Sequence, residues 1–154
     1  MDADVVLRQG QIYDGGHIDC ALLNTGGIRI PALQKGPITK GLVFELMPFD
    51  NQLVVVEMNA SVFQQLADKM AERGGWPLSE GLRYTIQDGK AVGVLIRGAA
   101  PDPAKTYRIL LPDYIANGGD DCFFLVDQPQ KELGVLVRDA IIECVSRDSQ
   151  EGRE

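Results

Sequence analysis

The chain has 154 residues, of which 45% are hydrophobic, so it is long and apolar enough to form one domain with an ordinary core. It carries 22 acidic and 15 basic side chains, and its formal net charge of −7 argues against binding to duplex DNA or RNA. A small anionic ligand needs only a few local donors and is compatible with that charge. No apolar run approaches the ~20 residues that span a bilayer, and no signal-peptide pattern is visible.

Metal-binding and nucleophilic residue types are scarce. The sequence has three cysteines at wide spacing, no C-x-x-C pair and a single histidine, His17. This pattern predicts no disulfide framework. A zinc or di-metal site needs more His, Cys or clustered Asp ligands than the chain offers, so we expect no cofactor in it. No Ser or Cys nucleophile has a histidine-containing signature around it.

The first half of the chain predicts two strands and two helices. Residues 19–23 form a short apolar run typical of a buried strand, and it leads into a glycine-rich turn. A short helix is predicted over 39–44, with a threonine as its cap. Residues 52–58 are β-branched and indicate a second strand. Asn59 then caps an amphipathic helix that a glycine pair at 74–75 ends.

The second half predicts a hairpin, a strand and a closing helix. Runs at 82–86 and 91–96 flank an Asp-Gly pair at 88–89, which is a strong hairpin signal. Residues 106–111 indicate another strand, and 133–145 predict an amphipathic helix. The order strand, helix, strand, helix, hairpin, strand, helix predicts a single mixed domain of the α+β class.

A glycine-rich motif, Asn-Thr-Gly-Gly-Ile-Arg, follows the first predicted strand and runs from Asn24 to Arg29. The backbone amides of such a turn and the guanidinium group can hold phosphate or ribose oxygens. The alternative is a tight turn whose arginine pairs with a surface acid. Taken alone, a short glycine motif favours that alternative.

Two further motifs offer aromatic faces and a carboxylate. Phe49 precedes the second strand, and stacking on a base would contribute about 1–3 kcal/mol. Tyr114 precedes a Gly-Gly-Asp segment, in which Asp120 could accept hydrogen bonds from a ribose diol or a base amine. The alternatives are a core phenylalanine and a turn stabilised by an aspartate. Together the three motifs suit a ligand that is anionic at one end and flat at the other, such as a nucleotide.

The three motifs occur in one order, and with that order the sequence resembles the C-terminal domain of the 5′-nucleotidases. This family includes periplasmic UDP-sugar hydrolases and ecto-5′-nucleotidase. The resemblance implies an α+β substrate-binding domain over 19–147 and a polar tail over 148–154. Residues 1–18 form an N-terminal segment that could be the remnant of a truncated helix. A periplasmic or cell-envelope location is also implied.

The resemblance implies seven substrate-binding positions, which are Asn24, Arg29, Phe49, Asn51, Gly81, Tyr114 and Asp120. The asparagine and arginine of the first motif lie on the phosphate side in this arrangement. The two aromatic side chains stack on either face of the base, which Asn51 and the backbone of Gly81 also contact. Asp120 is the ribose-binding carboxylate. The chain departs from the family pattern at Thr25 and Asp121, where glycines are usual, and Asp121 adds negative charge beside the ribose.

The resemblance thus implies the nucleotide- or nucleoside-recognition domain of a 5′-nucleotidase-like phosphohydrolase. In that family a separate N-terminal metallophosphoesterase domain holds two divalent metal ions and hydrolyses the phosphoric ester. This chain lacks those metal ligands, so its part in an enzyme depends on a phosphoesterase domain or a separate chain. The alternatives are a free-standing, non-catalytic nucleotide-binding module and an interaction domain that has lost the ligand. The expected partner is a nucleoside or nucleotide, with no nucleic acid and no membrane span.

Overall fold

The computed structural model describes residues 3–24 and 50–150, with side chains described as far as 143. The predicted helix at 39–44 lies outside this range. The described elements are α1 Ala3–Asp14, β1 Cys20–Ala21, β2 Gln52–Asn59, α2 Ala60–Glu72, β3 Leu82–Gln87, β4 Lys90–Ile96, β5 Thr106–Pro112, α3 Asp113–Ala116, β6 Gln130–Leu136 and α4 Val137–Gln150. Two short 3-10 turns, Gly119–Asp121 and Phe123–Leu125, separate α3 from β6.

Four of the described strands form one sheet in the order β1-β5-β2-β6, and β3 and β4 form a separate hairpin. The strand β1 runs parallel to β5, with Cys20 opposite Ile109. The strand β2 runs antiparallel to β5, with Leu53 opposite Pro112. The ends of β1 and β5 and the start of β2 therefore meet at one edge of the sheet, which we call the β5 C-terminal edge.

Both faces of the sheet are covered, and the side chains of β2 alternate between two apolar clusters. Val54 packs with Phe63 of α2 on one face. Val55 packs with Val6 of α1 and Ile141 of α4 on the other. A strand buried on both faces has a continuous apolar sequence, as this one does. The helices α1 and α4 thus cover one side of the sheet, and α2 with the hairpin covers the other.

Several predicted elements are confirmed. The predicted strand at 52–58 is β2, and Asn59 caps α2 by accepting a hydrogen bond from the backbone N–H of Val62 at 2.9 Å. The hairpin turn has positive φ at both central residues, 52° at Asp88 and 74° at Gly89, which suits the right-handed twist of the strands. The mixed α+β class that the sequence predicted is the observed one.

The predicted helix at 133–145 is wrong at its start, because the chain forms β6 through Leu136 before α4 begins. Residues 130–136 form a strand because they pair with β2, in which Gln52 lies opposite Leu136 and Val54 lies opposite Glu132. Between these two pairs β6 has more residues than β2. The extra residues form a bulge that contains Gly134, whose φ is 73°. Partners distant in sequence impose this conformation, so local periodicity could not reveal it.

The helix α1 is well packed and lies within the segment 1–18, which the resemblance described only as the remnant of a truncated helix. Gly10 lies directly against the side chain of Leu110, where a Cβ atom would collide with the leucine. At the end of the helix, the side chain of Asp14 is 1% exposed and pairs with Arg108 at 2.7 Å and Lys131 at 2.8 Å. These contacts fix α1 to β5 and β6.

Candidate functional site

The β5 C-terminal edge collects four of the seven predicted site residues. Asn24 follows β1 and Asn51 precedes β2, so the strand register puts both at this edge. Tyr114 lies in α3, directly after β5, and Asp120 follows in the first 3-10 turn. The backbone carbonyl of Asn51 also accepts a hydrogen bond from Val137 at 2.8 Å, so α4 begins at the same edge. Arg29 and Phe49, with the rest of the glycine-rich motif, lie outside the described residues.

The ring of Tyr114 lies against the backbone of Gly119. A Cβ atom at this glycine would lie 2.6 Å from the ring and 2.5 Å from the carbonyl oxygen of Tyr114. The preceding Gly118 has a φ of 100°, which L-residues with side chains rarely adopt. The glycine pair is therefore needed for two different reasons, a left-handed turn and a close approach. Because Tyr114 remains 48% exposed, it can offer aromatic surface to a flat ligand.

Asp120 occupies a left-handed conformation with φ 53°, and Asp121 follows with φ 63°. Such conformations cost energy in residues other than glycine, although Asp and Asn tolerate them best. The Oδ1 atom of Asp120 accepts a hydrogen bond from the Tyr114 hydroxyl at 3.4 Å, and the side chain is 19% exposed. A carboxylate has about four acceptor positions, so Asp120 can accept further hydrogen bonds from a ligand.

Arg73 is a charged neighbour of this turn that sequence reasoning missed. It follows α2 as its C-cap, and its Nη2 atom donates a hydrogen bond to Oδ2 of Asp121 at 3.0 Å. Its Nη1 atom lies 3.7 Å from Oδ1 of Asp120. In the sequence this arginine stands 47 positions before Asp120, and the only local signal is its place ahead of the glycine pair at 74–75.

Asn24 is a buried polar residue, with 4% of its surface exposed. Its side-chain oxygen Oδ1 has no hydrogen-bond partner within 3–24 and 50–150. Burying an amide oxygen without a partner costs about 1–3 kcal/mol, so such groups are uncommon in cores. The described residues therefore leave an acceptor of Asn24 unused at the β5 C-terminal edge.

Gly81 is not brought to this edge. Its carbonyl accepts a hydrogen bond from Arg97 at 2.6 Å, and its Cα faces the carbonyl oxygen of Asp19. Asp19 precedes β1 and lies five residues before Asn24. An extended segment of five residues spans roughly 16 Å, so Gly81 lies near the opposite end of β1 from Asn24. Gly81 lines a cavity of about 390 Å³ next to Asp4 of α1 instead.

The potential metal ligands of the described chain do not fit a divalent metal pair. Over residues 3–24 and 50–143, no three His, Cys, Asp or Glu side chains gather as a metal-binding group. His17 contacts Asp19 at 2.8 Å and Arg97 at 3.3 Å through Nε2. Burial, followed by the charge of Asp120, raises the pKa of Cys122 to about 11, so this thiol is a poor ligand at neutral pH.

The fold and the β5 C-terminal edge describe a mixed α+β domain with an aromatic face, a carboxylate and amides gathered where its strands end. A family model described as "5′-nucleotidase, C-terminal domain" matches residues 3–127, most of the chain. The chain therefore belongs to the family of 5′-nucleotidase C-terminal domains.

Curated relatives and a solved structure agree with this assignment. A 5′-nucleotidase of Vibrio cholerae is 33% identical over 115 residues, which cover 72% of this chain and 21% of that protein. Protein UshA of Escherichia coli is 31% identical over 106 residues, covering 66% of this chain and 19% of that protein. The crystal structure of a 5′-nucleotidase precursor from Thermus thermophilus is 28% identical, with a TM-score of 0.74, and the match covers 94% of this chain and 32% of that one. The chain thus spans about a fifth of the length of these curated relatives.

No helix among the described residues is both long and apolar enough to cross a membrane.

Proposed function

We propose that this chain is the nucleotide-recognition domain of a 5′-nucleotidase-like phosphohydrolase and binds a nucleoside or nucleotide at the β5 C-terminal edge. The single observation that carries the proposal is the arrangement of Tyr114 and Asp120. A half-exposed aromatic ring and a partly exposed carboxylate are joined by a hydrogen bond of 3.4 Å beside a backbone that only glycine permits. A nucleoside has a flat base that can stack on such a ring and a ribose diol that can donate hydrogen bonds to such a carboxylate.

Each part of the ligand has a candidate contact. Tyr114 and Phe49 would stack on the two faces of the base, and Asn51 would accept or donate a hydrogen bond at its edge. Asp120 would accept hydrogen bonds from the two ribose hydroxyls, because an ionised carboxylate is an acceptor with several positions. The side-chain N–H groups of Asn24 and the guanidinium of Arg29 would donate hydrogen bonds to the phosphate, the latter in a bidentate fashion.

Hydrolysis itself is assigned to another unit. We propose that a metallophosphoesterase domain or a separate chain supplies the divalent metal pair, since the ligand set for it is not found in the described part of this chain. The role of this domain is to bind the nucleotide and to orient it. The domain does not cleave the bond itself. We further propose a periplasmic or cell-envelope location, the compartment that the family resemblance implies.

The proposal is tested by calorimetric titration of the chain with adenosine, AMP and UDP-glucose. Stacking and a few hydrogen bonds contribute several kcal/mol, and association costs about 4–15 kcal/mol, so we expect dissociation constants nearer millimolar than nanomolar. The absence of binding by all three ligands at millimolar concentration, together with the absence of a ligand-induced thermal shift, would contradict the proposal. That result would favour an interaction domain without a nucleotide ligand.

A further inference from the structure

Arg73 is held by the end of α2 in a position that faces the Asp120 turn. Its backbone N–H donates a hydrogen bond to the carbonyl of Lys69 at 3.2 Å. The two glycines that follow have φ values of 83° and 98°, and they reverse the chain direction at once. The backbone of Arg73 is therefore fixed by the helix end, and its side chain reaches across to a turn that is distant in sequence.

The turn that Arg73 reaches has two adjacent carboxylates on two consecutive left-handed residues. Such a backbone persists only where surrounding contacts determine it. The neighbouring charges of Asp120 and Asp121 also repel each other, and Arg73 lies against both, at 3.7 Å and 3.0 Å. One cation thus opposes the charge that Asp121 adds beside the ribose position.

The contacts to Asp120 converge on one of its oxygens. The Tyr114 hydroxyl and the Arg73 Nη1 atom both approach Oδ1, at 3.4 Å and 3.7 Å. Two contacts to Oδ1 favour one rotation of the carboxylate and leave its remaining acceptor positions for a ligand. A vicinal diol needs a carboxylate in one orientation, because both of its hydroxyls must reach acceptor positions at the same time.

We infer that Arg73 is a positioning residue that holds Asp120 in the orientation required for a vicinal diol, and so favours ribonucleosides over ligands without the diol. The inference rests on the proposed function, because it assigns Asp120 to the ribose. Arg73 acts through the carboxylates and does not touch the base. The Asp121 charge makes this arginine necessary, because without a cation the two carboxylates would repel each other and separate.

The test is calorimetric titration of the full chain with adenosine and with 2′,3′-dideoxyadenosine, which lacks both hydroxyls. We expect Arg73→Ala to weaken adenosine binding by about threefold to tenfold, as is usual for coupling between contacting residues, and to change dideoxyadenosine binding by less than about twofold. Lys105→Ala is the matched control, because this exposed cation directly precedes β5 and so lies at the opposite end of that strand from the Asp120 turn. It should leave both ligands unchanged.

A second variant isolates the charge argument. Asp121→Asn removes one carboxylate but keeps a residue that tolerates the left-handed conformation. In this background we expect Arg73→Ala to cost less adenosine affinity than it does alone. Thermal unfolding of each variant shows whether it is folded.

The outcomes separate the inference from the proposed function. Equal weakening of adenosine and dideoxyadenosine by Arg73→Ala would show a general structural role and overturn the inference, as would unchanged binding of both. If the unmodified chain binds none of these ligands, the proposed function fails and the inference fails with it.

Discussion

The hydroxyl group of Tyr114 donates a hydrogen bond to Oδ1 of Asp120 across a distance of 3.4 Å. The two residues are six positions apart in the sequence, and the Gly118–Gly119 backbone brings them together. The predicted base contact and the predicted ribose contact are therefore parts of one turn, so a change at either residue acts on the other.

Replacing Gly119 by alanine should disturb the site more than the fold. The new Cβ atom would lie within 2.6 Å of the Tyr114 ring and must displace it. We expect Gly119→Ala to abolish measurable adenosine binding in calorimetry. Gly81→Ala is the control, because the nearest atom to its Cβ would be Cγ of Arg97 at 3.4 Å, far from the β5 C-terminal edge. If Gly81→Ala weakened adenosine binding and Gly119→Ala left it intact, the ligand would not bind at the β5 C-terminal edge.

The buried carboxylate of Asp14 should make stability depend on acid pH. The Arg108 guanidinium, assisted by Lys131, holds the pKa of Asp14 well below its usual range. The stabilisation is therefore complete above about pH 4, the value for an unfolded aspartate, and is lost as the pH falls below that toward the lowered pKa. We expect Asp14→Asn to lower the free energy of unfolding at pH 7 by about 1–3 kcal/mol, since it removes one partner of a buried ion pair.

Urea unfolding between pH 2.5 and 7 measures this effect. The loss of stability below pH 4 should be shallower in Asp14→Asn than in the unmodified chain. Asp127→Asn, in an exposed position, serves as the control and should follow the unmodified chain. An equally steep acid loss in Asp14→Asn would show that other carboxylates cause it.

The fold was largely predictable from local patterns, and the misses have a common cause. The strands β2 and β5, the Asn59 cap and the hairpin each have a signal within about ten residues of sequence. The strand β6 has none, because its polar segment pairs with β2 through a bulge at Gly134. The full extent of α1 was missed for the same reason, since its packing depends on Leu110 and on the ion pair with Arg108.

The site was predictable only where a motif is contiguous. The segment from Tyr114 to Asp120 carries its own glycine signal, and the structure joins its two ends. Arg73 reaches the same turn from another helix, and nothing near it in the sequence points there. Gly81 shows the converse, since a residue can match a family position in sequence and still lie away from the edge at which Asn24 and Asn51 meet.

The isolated chain should hydrolyse no nucleotide. A two-metal phosphoesterase site requires several His and Asp ligands, and the whole sequence has one histidine. We expect no phosphate release from AMP with Mn²⁺, Zn²⁺ or Co²⁺ added. Metal-dependent hydrolysis that follows the chain through every purification step would contradict the assignment of catalysis to another unit.

Arg29 and Asp120 should be distinguished by the ligand used. Because Arg29 is assigned to the phosphate, Arg29→Ala should weaken AMP binding and leave adenosine binding nearly unchanged. Asp120→Ala should weaken both, since both ligands carry the ribose. The loss of one charge-assisted hydrogen bond in a shielded site costs roughly 1.5–3 kcal/mol, and less where water reaches the site. Equal weakening of AMP and adenosine by Arg29→Ala would mean that this arginine holds its own turn in place.

Titration of adenosine into the unmodified chain and into the Phe49→Ala/Tyr114→Ala double variant tests the central claim most directly. Each lost stacking face costs about 1–3 kcal/mol, so the double variant should show no measurable binding at millimolar adenosine. Thermal unfolding confirms that the variant is folded, and Tyr114→Phe, which keeps the ring but loses the hydrogen bond to Asp120, should bind adenosine more weakly than the unmodified chain and more tightly than the double variant. Weak, saturable binding in the unmodified chain that disappears in the double variant is the result that we predict. Equal binding of adenosine to both proteins would contradict a nucleoside site between Phe49 and Tyr114.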